Sequence, residues 1–118
     1  MPQTLSRKKQ FLNVQGTSKT AKDVILDFYY QPNKNTFVGV EIKNTKKALS
    51  GGELEQLKRY ADLVNNPNKY GYNNVQFEYI FSSKKVAEDS SAIIIQELGD
   101  RRVTIYYIDD FGKIQELI

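Results

Sequence analysis

Two carboxylates and a lysine have the spacing to form a small site on a β-hairpin. Residues 24–30 and 36–43 read as strands, and residues 31–35 between them carry the Pro and Asn that favour a turn. If the turn is centred on Lys34, Asp27 lies directly opposite Glu41. Opposed like charges about 5 Å apart destabilise a sheet. A divalent cation between the two carboxylates would remove that repulsion.

The composition limits the chemistry that such a site can perform. The chain of 118 residues has no cysteine and no histidine. Their absence excludes disulfides, thiolate metal sites, the Ser-His triad and the usual zinc ligands. Carboxylates, lysines, hydroxyls and amides must therefore do any chemistry. The length suits one domain over residues 1–118, and 40% apolar residues are typical of a globular protein.

No segment of the chain predicts a membrane span or a secretion signal. No apolar run approaches the ~20 residues of a membrane helix. The amino terminus lacks the apolar core of a signal peptide. We therefore expect a protein that acts in the cytoplasm.

The charge is distributed unevenly along the chain. Residues 1–47 carry nine Lys/Arg and three Asp/Glu, a net +6, whereas residues 48–118 carry eight and eleven, a net −3. The hairpin lies in the positive half. A basic zone around paired carboxylates favours a polyanionic substrate such as nucleic acid, although a solvated basic arm explains the same charges.

The remaining pattern predicts the order β-β-α-β-α-β, a mixed sheet with helices on its faces in the α/β (α+β) class. Residues 1–22 read as a loosely packed or partly helical lead-in with turn chemistry at residues 15–18, and residues 23–118 as the core. Further strands are expected at 75–81 and 103–108, with an edge segment at 113–117. A helix over about 85–98 would end at Gly99, bury Ile94 and Leu98, and form a right-handed crossover between parallel strands.

The helix after the hairpin carries a further candidate residue. Ser50 and Glu53 have the spacing of a capping box that opens a helix running to about Asn65. One stripe of this helix should face the sheet: Leu54, Leu57, Ala61 and Val64. Gln56, Tyr60 and Leu63 form the adjacent stripe.

Strand alternation sorts the second hairpin strand into two faces. Gly39, Glu41 and Lys43 share one face, and the alternating apolar residues Val38, Val40 and Ile42 share the other. We expect the apolar set to enter the core and the polar set to form the site, with Gly39 leaving room for a ligand. Two carboxylates suit Mg²⁺ or Mn²⁺, which can polarise a phosphoryl oxygen and acidify a water.

The arrangement of Asp27 followed by Glu41-Ile42-Lys43 resembles the D…ExK signature of the PD-(D/E)XK phosphodiesterase superfamily, which has the restriction-endonuclease-like fold. The resemblance covers about residues 24–108. It implies that Asp27 and Glu41 bind the metal and that Lys43 assists the attacking water. Gln56 occupies the place of the Gln or Lys that the family's next helix often contributes, although an ordinary helix-surface position explains it equally well. In the family, the core usually starts with a helix that carries a further Glu. No Glu precedes Glu41 in this chain, so the resemblance implies one metal ion rather than two.

The resemblance leads us to expect a metal-dependent nuclease that cleaves DNA or, alternatively, tRNA or another RNA. Many bacterial toxin domains of interbacterial competition are similar in size and motif, and the lead-in suggests a piece of a longer chain, which favours that setting. The partner would then be an immunity protein. A resolvase or repair-type nuclease, or a non-catalytic nucleic-acid-binding domain, are the alternatives. Lys46 and Lys47 could contact phosphates, and Tyr29, Tyr30 and Tyr60 could stack on bases, although solvated loops and packing explain these residues too.

Overall fold

A six-stranded mixed sheet with two α-helices forms the molecule. The structure, a computed structural model, describes residues 5–16 and 21–118. The strands follow one another across the sheet in the order of the sequence. Their bounds are β1 Ser6–Val14, β2 Lys22–Asn33, β3 Thr36–Lys43, β4 Asn74–Phe81, β5 Val103–Ile108 and β6 Ile114–Glu116. The helices are α1 Gly52–Asn65, a 3-10 turn at Pro67–Tyr70, and α2 Lys84–Leu98.

The predicted α+β class is confirmed, but the element order gains a strand at its beginning, whereas β6 lies within the edge segment expected at residues 113–117. β1 occupies most of the segment that we expected to be a loose or partly helical lead-in, so that expectation was wrong. It pairs antiparallel with β2 and buries Phe11 and Val14. The described part of residues 1–22 is therefore built into the sheet. Of the turn expected at residues 15–18, Thr17 and Ser18 lie outside the described residues.

The hairpin of β2 and β3 has the predicted register over its central part. Phe28 pairs with Val40 and Tyr30 with Val38, each pair being equally distant from Lys34. The pairing of β2 with β3 ends at Phe28 and Val40, so Asp27 and Glu41 lie just beyond the last pair rather than in the directly opposed pair that we expected. The strands extend further toward the turn than expected, because a register shift lets the chain reverse through Lys34 and Asn35 alone.

Both helices pack on one face of the sheet, here called the helix face. β3, β4 and β5 run parallel, which confirms the parallel pairing expected around the second helix. α1 and α2 contact each other, and both contact β4. α2 ends at Gly99 and buries Ile94 and Leu98, as predicted. Neither α-helix of the described chain combines the length and apolarity that a membrane span requires.

The predicted capping box at the start of α1 is wrong. Gly51, with φ at 56°, occupies the N-cap position, and no side chain caps the helix. The Ser50 carbonyl instead accepts a hydrogen bond from the Glu53 backbone N–H. The buried stripe is also displaced from the predicted one, because Leu54 and Ala61 are only partly buried. The buried residues of α1 are Leu57, Arg59, Tyr60, Leu63 and Val64.

The prediction of which face of β3 meets the core was inverted. Gly39, Glu41 and Lys43 do share a face, but it is the helix face, in register with Phe77, Tyr79 and Phe81 of β4. Val38 and Val40 are buried on the opposite face, where Ile42 is 53% exposed. Alternation assigns side chains to two faces, but it does not say which face the helices will cover.

Gly39 serves packing rather than ligand access. A Cβ atom there would lie 2.6 Å from a ring carbon of Phe77 and 3.1 Å from Cδ1 of Leu26. The expectation that Gly39 leaves room for a ligand was therefore wrong, because the Phe77 ring already fills the space.

Candidate functional site

Glu41 lies on the helix face of β3, where α1 covers it. Both of its carboxylate oxygens have protein partners. Tyr60 of α1 donates its hydroxyl hydrogen to Glu41 Oε1, and Lys43 Nζ lies 3.6 Å from Glu41 Oε2. The Glu41 side chain is only 14% exposed. A carboxylate is thus held in a fixed orientation between a strand and a helix.

Lys43 joins the carboxylate to the first turns of α1. Its Nζ donates a hydrogen bond to Gln56 Oε1 at 3.1 Å and lies 3.6 Å from Glu53 Oε2. Three acceptors around one ammonium fix its position, and the side chain is 14% exposed. We call Glu41, Lys43, Glu53, Gln56 and Tyr60 the Glu41 cluster. The structure brings the predicted residues Glu41, Lys43 and Gln56 together, with Gln56 contacting Lys43.

Asp27 lies where the side-chain alternation of β2 breaks. Leu26 contacts the Gly39 position on the helix face, and Tyr29 stacks on Phe37 on that same face. Residues three apart share a face only if strict alternation fails between them, at Asp27 and Phe28. Asp27 is exposed there and lines a cavity of about 240 Å³. The break turns Asp27 outward, and its charge still acts on Glu41 of the partly buried Glu41 cluster.

Burial controls the electrostatics of Glu41. Desolvation raises the pKa of its carboxyl above the ordinary value. The hydrogen bond from Tyr60 and the charge of Lys43 lower that pKa, and the charge of Asp27 raises it. Burial and the Glu41 charge likewise raise the pKa of the Tyr60 hydroxyl, which therefore stays protonated and able to donate. A carboxylate with a raised pKa gains from an additional nearby positive charge.

The residues predicted to contact nucleic acid lie in different environments. Tyr60 is fully buried and its ring stacks on Phe77 at 4.3 Å between centroids, so no face is open for a base. Tyr29 is partly buried against Phe37. Lys46 and Lys47 are exposed in the loop that follows β3.

Tyr30 belongs to a separate contact on the other face of the sheet. Its hydroxyl donates a hydrogen bond to Glu78 Oε2. Burial, and then that hydrogen bond, raise the pKa of Tyr30.

Two members of the Glu41 cluster were missed as members of the site in the sequence. Glu53 was interpreted only as part of a capping box, yet it lies next to Lys43. Tyr60 was placed on the same helix stripe as Gln56 and considered for base stacking or packing, yet its hydroxyl donates a hydrogen bond to Glu41. Both project from α1 toward β3 at the positions three residues before and four residues after Gln56. That helical spacing placed Tyr60 with Gln56 in the sequence, and the same signal could have added Glu53.

Asp27 and Glu41 are the two predicted metal ligands of this site. Within residues 5–16 and 21–118, no three acidic side chains form a group that could hold a metal by themselves. Mg²⁺ is commonly bound through one or two carboxylates, with waters and substrate phosphate completing its shell. The outward Asp27 and the desolvated Glu41 are donors of that kind. An ion at these two carboxylates would have to share Glu41 with Tyr60 and Lys43, which already contact both of its oxygens.

Comparison with known proteins leaves the fold and this cluster as the basis for a functional assignment. No protein-family model, curated protein or solved structure matches the chain.

Proposed function

We propose that this protein is a metal-dependent phosphodiesterase that hydrolyses nucleic acid. The observation that carries the proposal is the Lys43 ammonium, held by Gln56 and Glu53 beside a buried carboxylate, with the charge of Asp27 acting on that same carboxylate. The D…ExK resemblance supports the proposal independently, because it rests on residue order rather than on contacts.

Each residue has a distinct role in the proposed reaction. Asp27 and Glu41 would hold one Mg²⁺ or Mn²⁺, which supplies polarisation of a phosphoryl oxygen and a more acidic water. Lys43 offsets negative charge that develops on the phosphate, because its ammonium is fixed and little exposed. Gln56 and Glu53 orient Lys43. The hydrogen bond from Tyr60 favours the ionised form of Glu41 and offsets part of the effect of burial on its pKa.

A second candidate function rests on the saturation of Glu41. Both of its oxygens already have protein partners, as in a structural ion-pair network. In that case the chain would be a non-catalytic nucleic-acid-binding domain on the same fold. Asp27 and Glu41 would then be independent of metal.

Digestion of plasmid DNA and total tRNA with Mg²⁺, Mn²⁺ or EDTA separates the two functions. We expect cleavage with metal, none with EDTA, and a loss of at least about a hundredfold in Asp27→Asn and Lys43→Ala. Asp110→Asn and Lys84→Ala are matched controls, since both residues are exposed and distant along the chain from the cluster. Absence of cleavage under every metal, or equal cleavage by the site variants, would overturn the nuclease proposal.

We propose interbacterial toxicity as the setting, with an immunity protein as partner and a resolvase or repair role as the alternative. The small size of the chain and the motif support this proposal. Expression of the wild type in bacteria should arrest growth and degrade nucleic acid, whereas Lys43→Ala should not. Normal growth with abundant folded wild-type protein would count against the toxin setting and leave the chemistry to the digestion assay.

A further inference from the structure

The cavity beside Asp27 is lined by two basic residues of β1. Its lining consists of Arg7, Lys8, Asp27 and Phe28, and its volume is about 240 Å³. We propose that Arg7 and Lys8 form a binding site for a backbone phosphate of the nucleic-acid strand, next to the metal-binding Asp27. The inference rests on the proposed function, because it names the part of that site which holds the substrate.

Arg7 is positioned by a neighbouring ring rather than by an acid. It pairs with Phe28 across β1 and β2, and its guanidinium carbon lies 5.6 Å from the centroid of the Phe28 ring. Such stacking orients the planar guanidinium and leaves its N–H groups free to bind an anion in a forked geometry. No ion pair of Arg7 occurs within the described residues.

Lys8 has a backbone conformation that is uncommon for its residue type. Its φ is 56°, in the left-handed region, and it lies between the paired residues Arg7 and Lys9, opposite Asp27 in the register. Strained residues of this kind concentrate at functional sites. The described residues show no ion pair between Lys8 and Asp27, although both line the cavity. The Lys8 charge is therefore available to a ligand.

The combination of charges selects a phosphate rather than a simple anion. Two cationic side chains bind phosphate oxygens, while the adjacent carboxylate repels them unless a divalent ion is present. A phosphodiester that arrives with its metal ion satisfies all three groups. Lys9 supplies an internal comparison: it belongs to the same strand, but its Nζ lies over the rings of Phe11 and Tyr72 rather than in the cavity.

Fluorescence anisotropy with labelled DNA and RNA oligonucleotides of equal sequence, in EDTA over a salt series, tests the site. Arg7→Gln and Lys8→Gln should each weaken binding and lower the slope of log affinity against log salt by about 0.7 for single strands. Lys9→Gln, which removes the same charge from the same strand, should weaken binding less. Asp27→Asn should tighten binding in EDTA by removing repulsion. The DNA and RNA arms show which nucleic acid supplies the phosphate.

Conservative variants separate a binding role from a folding role. Lys8→Arg should retain the salt slope, and thermal unfolding verifies that each variant is folded. If Arg7→Gln and Lys8→Gln bind like Lys9→Gln, or if the wild type binds no oligonucleotide, the phosphate site is wrong even where digestion succeeds. If binding depends on Arg7 and Lys8 but no metal supports digestion, the phosphate site stands and the nuclease proposal fails.

Discussion

At the scale of single residues, burial of the Glu41 carboxylate is unfavourable for the stability of the folded protein. The carboxylate is largely desolvated beneath α1, and burial outweighs the favourable contacts of Tyr60 and Lys43 enough to raise its pKa. An apolar or neutral residue would suit the same position better by packing alone. An acid at such a position is typical of active sites, which commonly sacrifice stability for function.

Glu41→Gln should increase stability near neutral pH while abolishing cleavage. The folded wild type has a raised Glu41 pKa, so it binds the proton at higher pH than the unfolded chain and loses stability as the pH rises between the two pKa values. The glutamine variant lacks this loss. Urea unfolding across pH should therefore show an advantage of the variant that grows with pH and vanishes below the pKa of the unfolded chain. A variant that is less stable than the wild type at neutral pH would contradict this account.

At the scale of elements, β1 shows why part of the fold escaped prediction. Its two buried residues, Phe11 and Val14, are three positions apart, which breaks the period-two pattern of a strand and resembles helical spacing. The structural cause is a register shift, with Asn13 at a φ of 54°. Asp23 stabilises the shift by accepting hydrogen bonds from the Asn13 backbone N–H and the Gln10 amide. In contrast, β4, β5 and α2 have regular periods and were predicted nearly to the residue.

Substitutions at Asn13 test this explanation of β1. Asn13→Val should lower the free energy of unfolding by about 1–3 kcal/mol, because a β-branched residue is strained at positive φ. Asn13→Gly, which adopts that conformation freely, should stay close to the wild type. Chemical denaturation gives both values. Equal stability of the two variants would mean that the left-handed conformation is not needed in solution.

The sequence identified the site residues of β3, Glu41 and Lys43, but it did not predict all the residues of α1 that contact them. Residue order identified Glu41, Lys43 and Gln56, because a strand followed by a helix brings those positions together. The contacts of Tyr60 depend on which face α1 covers, and that choice is made by packing across the whole sheet. Gly39 makes this packing possible, because the absence of a Cβ atom leaves room for the Phe77 ring that stacks on Tyr60.

Gly39→Ala should therefore affect both stability and the site. The new Cβ would clash with ring carbons of Phe77 at 2.6 and 2.8 Å, and the ring cannot retreat without displacing Tyr60. We expect a loss of about 1–3 kcal/mol in unfolding free energy, together with reduced cleavage. Gly52→Ala is the matched control, because nothing lies within 4 Å of its added Cβ. Adding Phe77→Leu should restore part of the stability; no recovery would place the strain elsewhere.

At the scale of the whole molecule, the order of the strands turns the uneven distribution of charge along the sequence into an uneven distribution of charge across the sheet. Because the strands lie across the sheet in sequence order, β1–β3 come from the described part of the basic residues 1–47, and β4–β6 come from the acidic remainder. Five inter-strand spacings of about 4.8 Å place β1 about 24 Å from β6. That distance exceeds the Debye length of about 10 Å at 0.1 M salt, so an approaching polyanion senses one side at a time. The Asp27 cavity is on the basic side.

Charge reversal at the two turns of the sheet should therefore have unequal effects on association. Lys34→Glu lies at the exposed β2–β3 turn, and Lys113→Glu lies at the exposed β5–β6 turn. At low salt we expect Lys34→Glu to slow oligonucleotide association about threefold and Lys113→Glu to change it little, because steering acts through the net field of each side. Stopped-flow fluorescence measures both rates. Raising the salt to about 1 M, where the Debye length falls to about 3 Å, should remove the difference. Equal slowing by the two variants would mean that total charge, rather than its distribution, governs encounter.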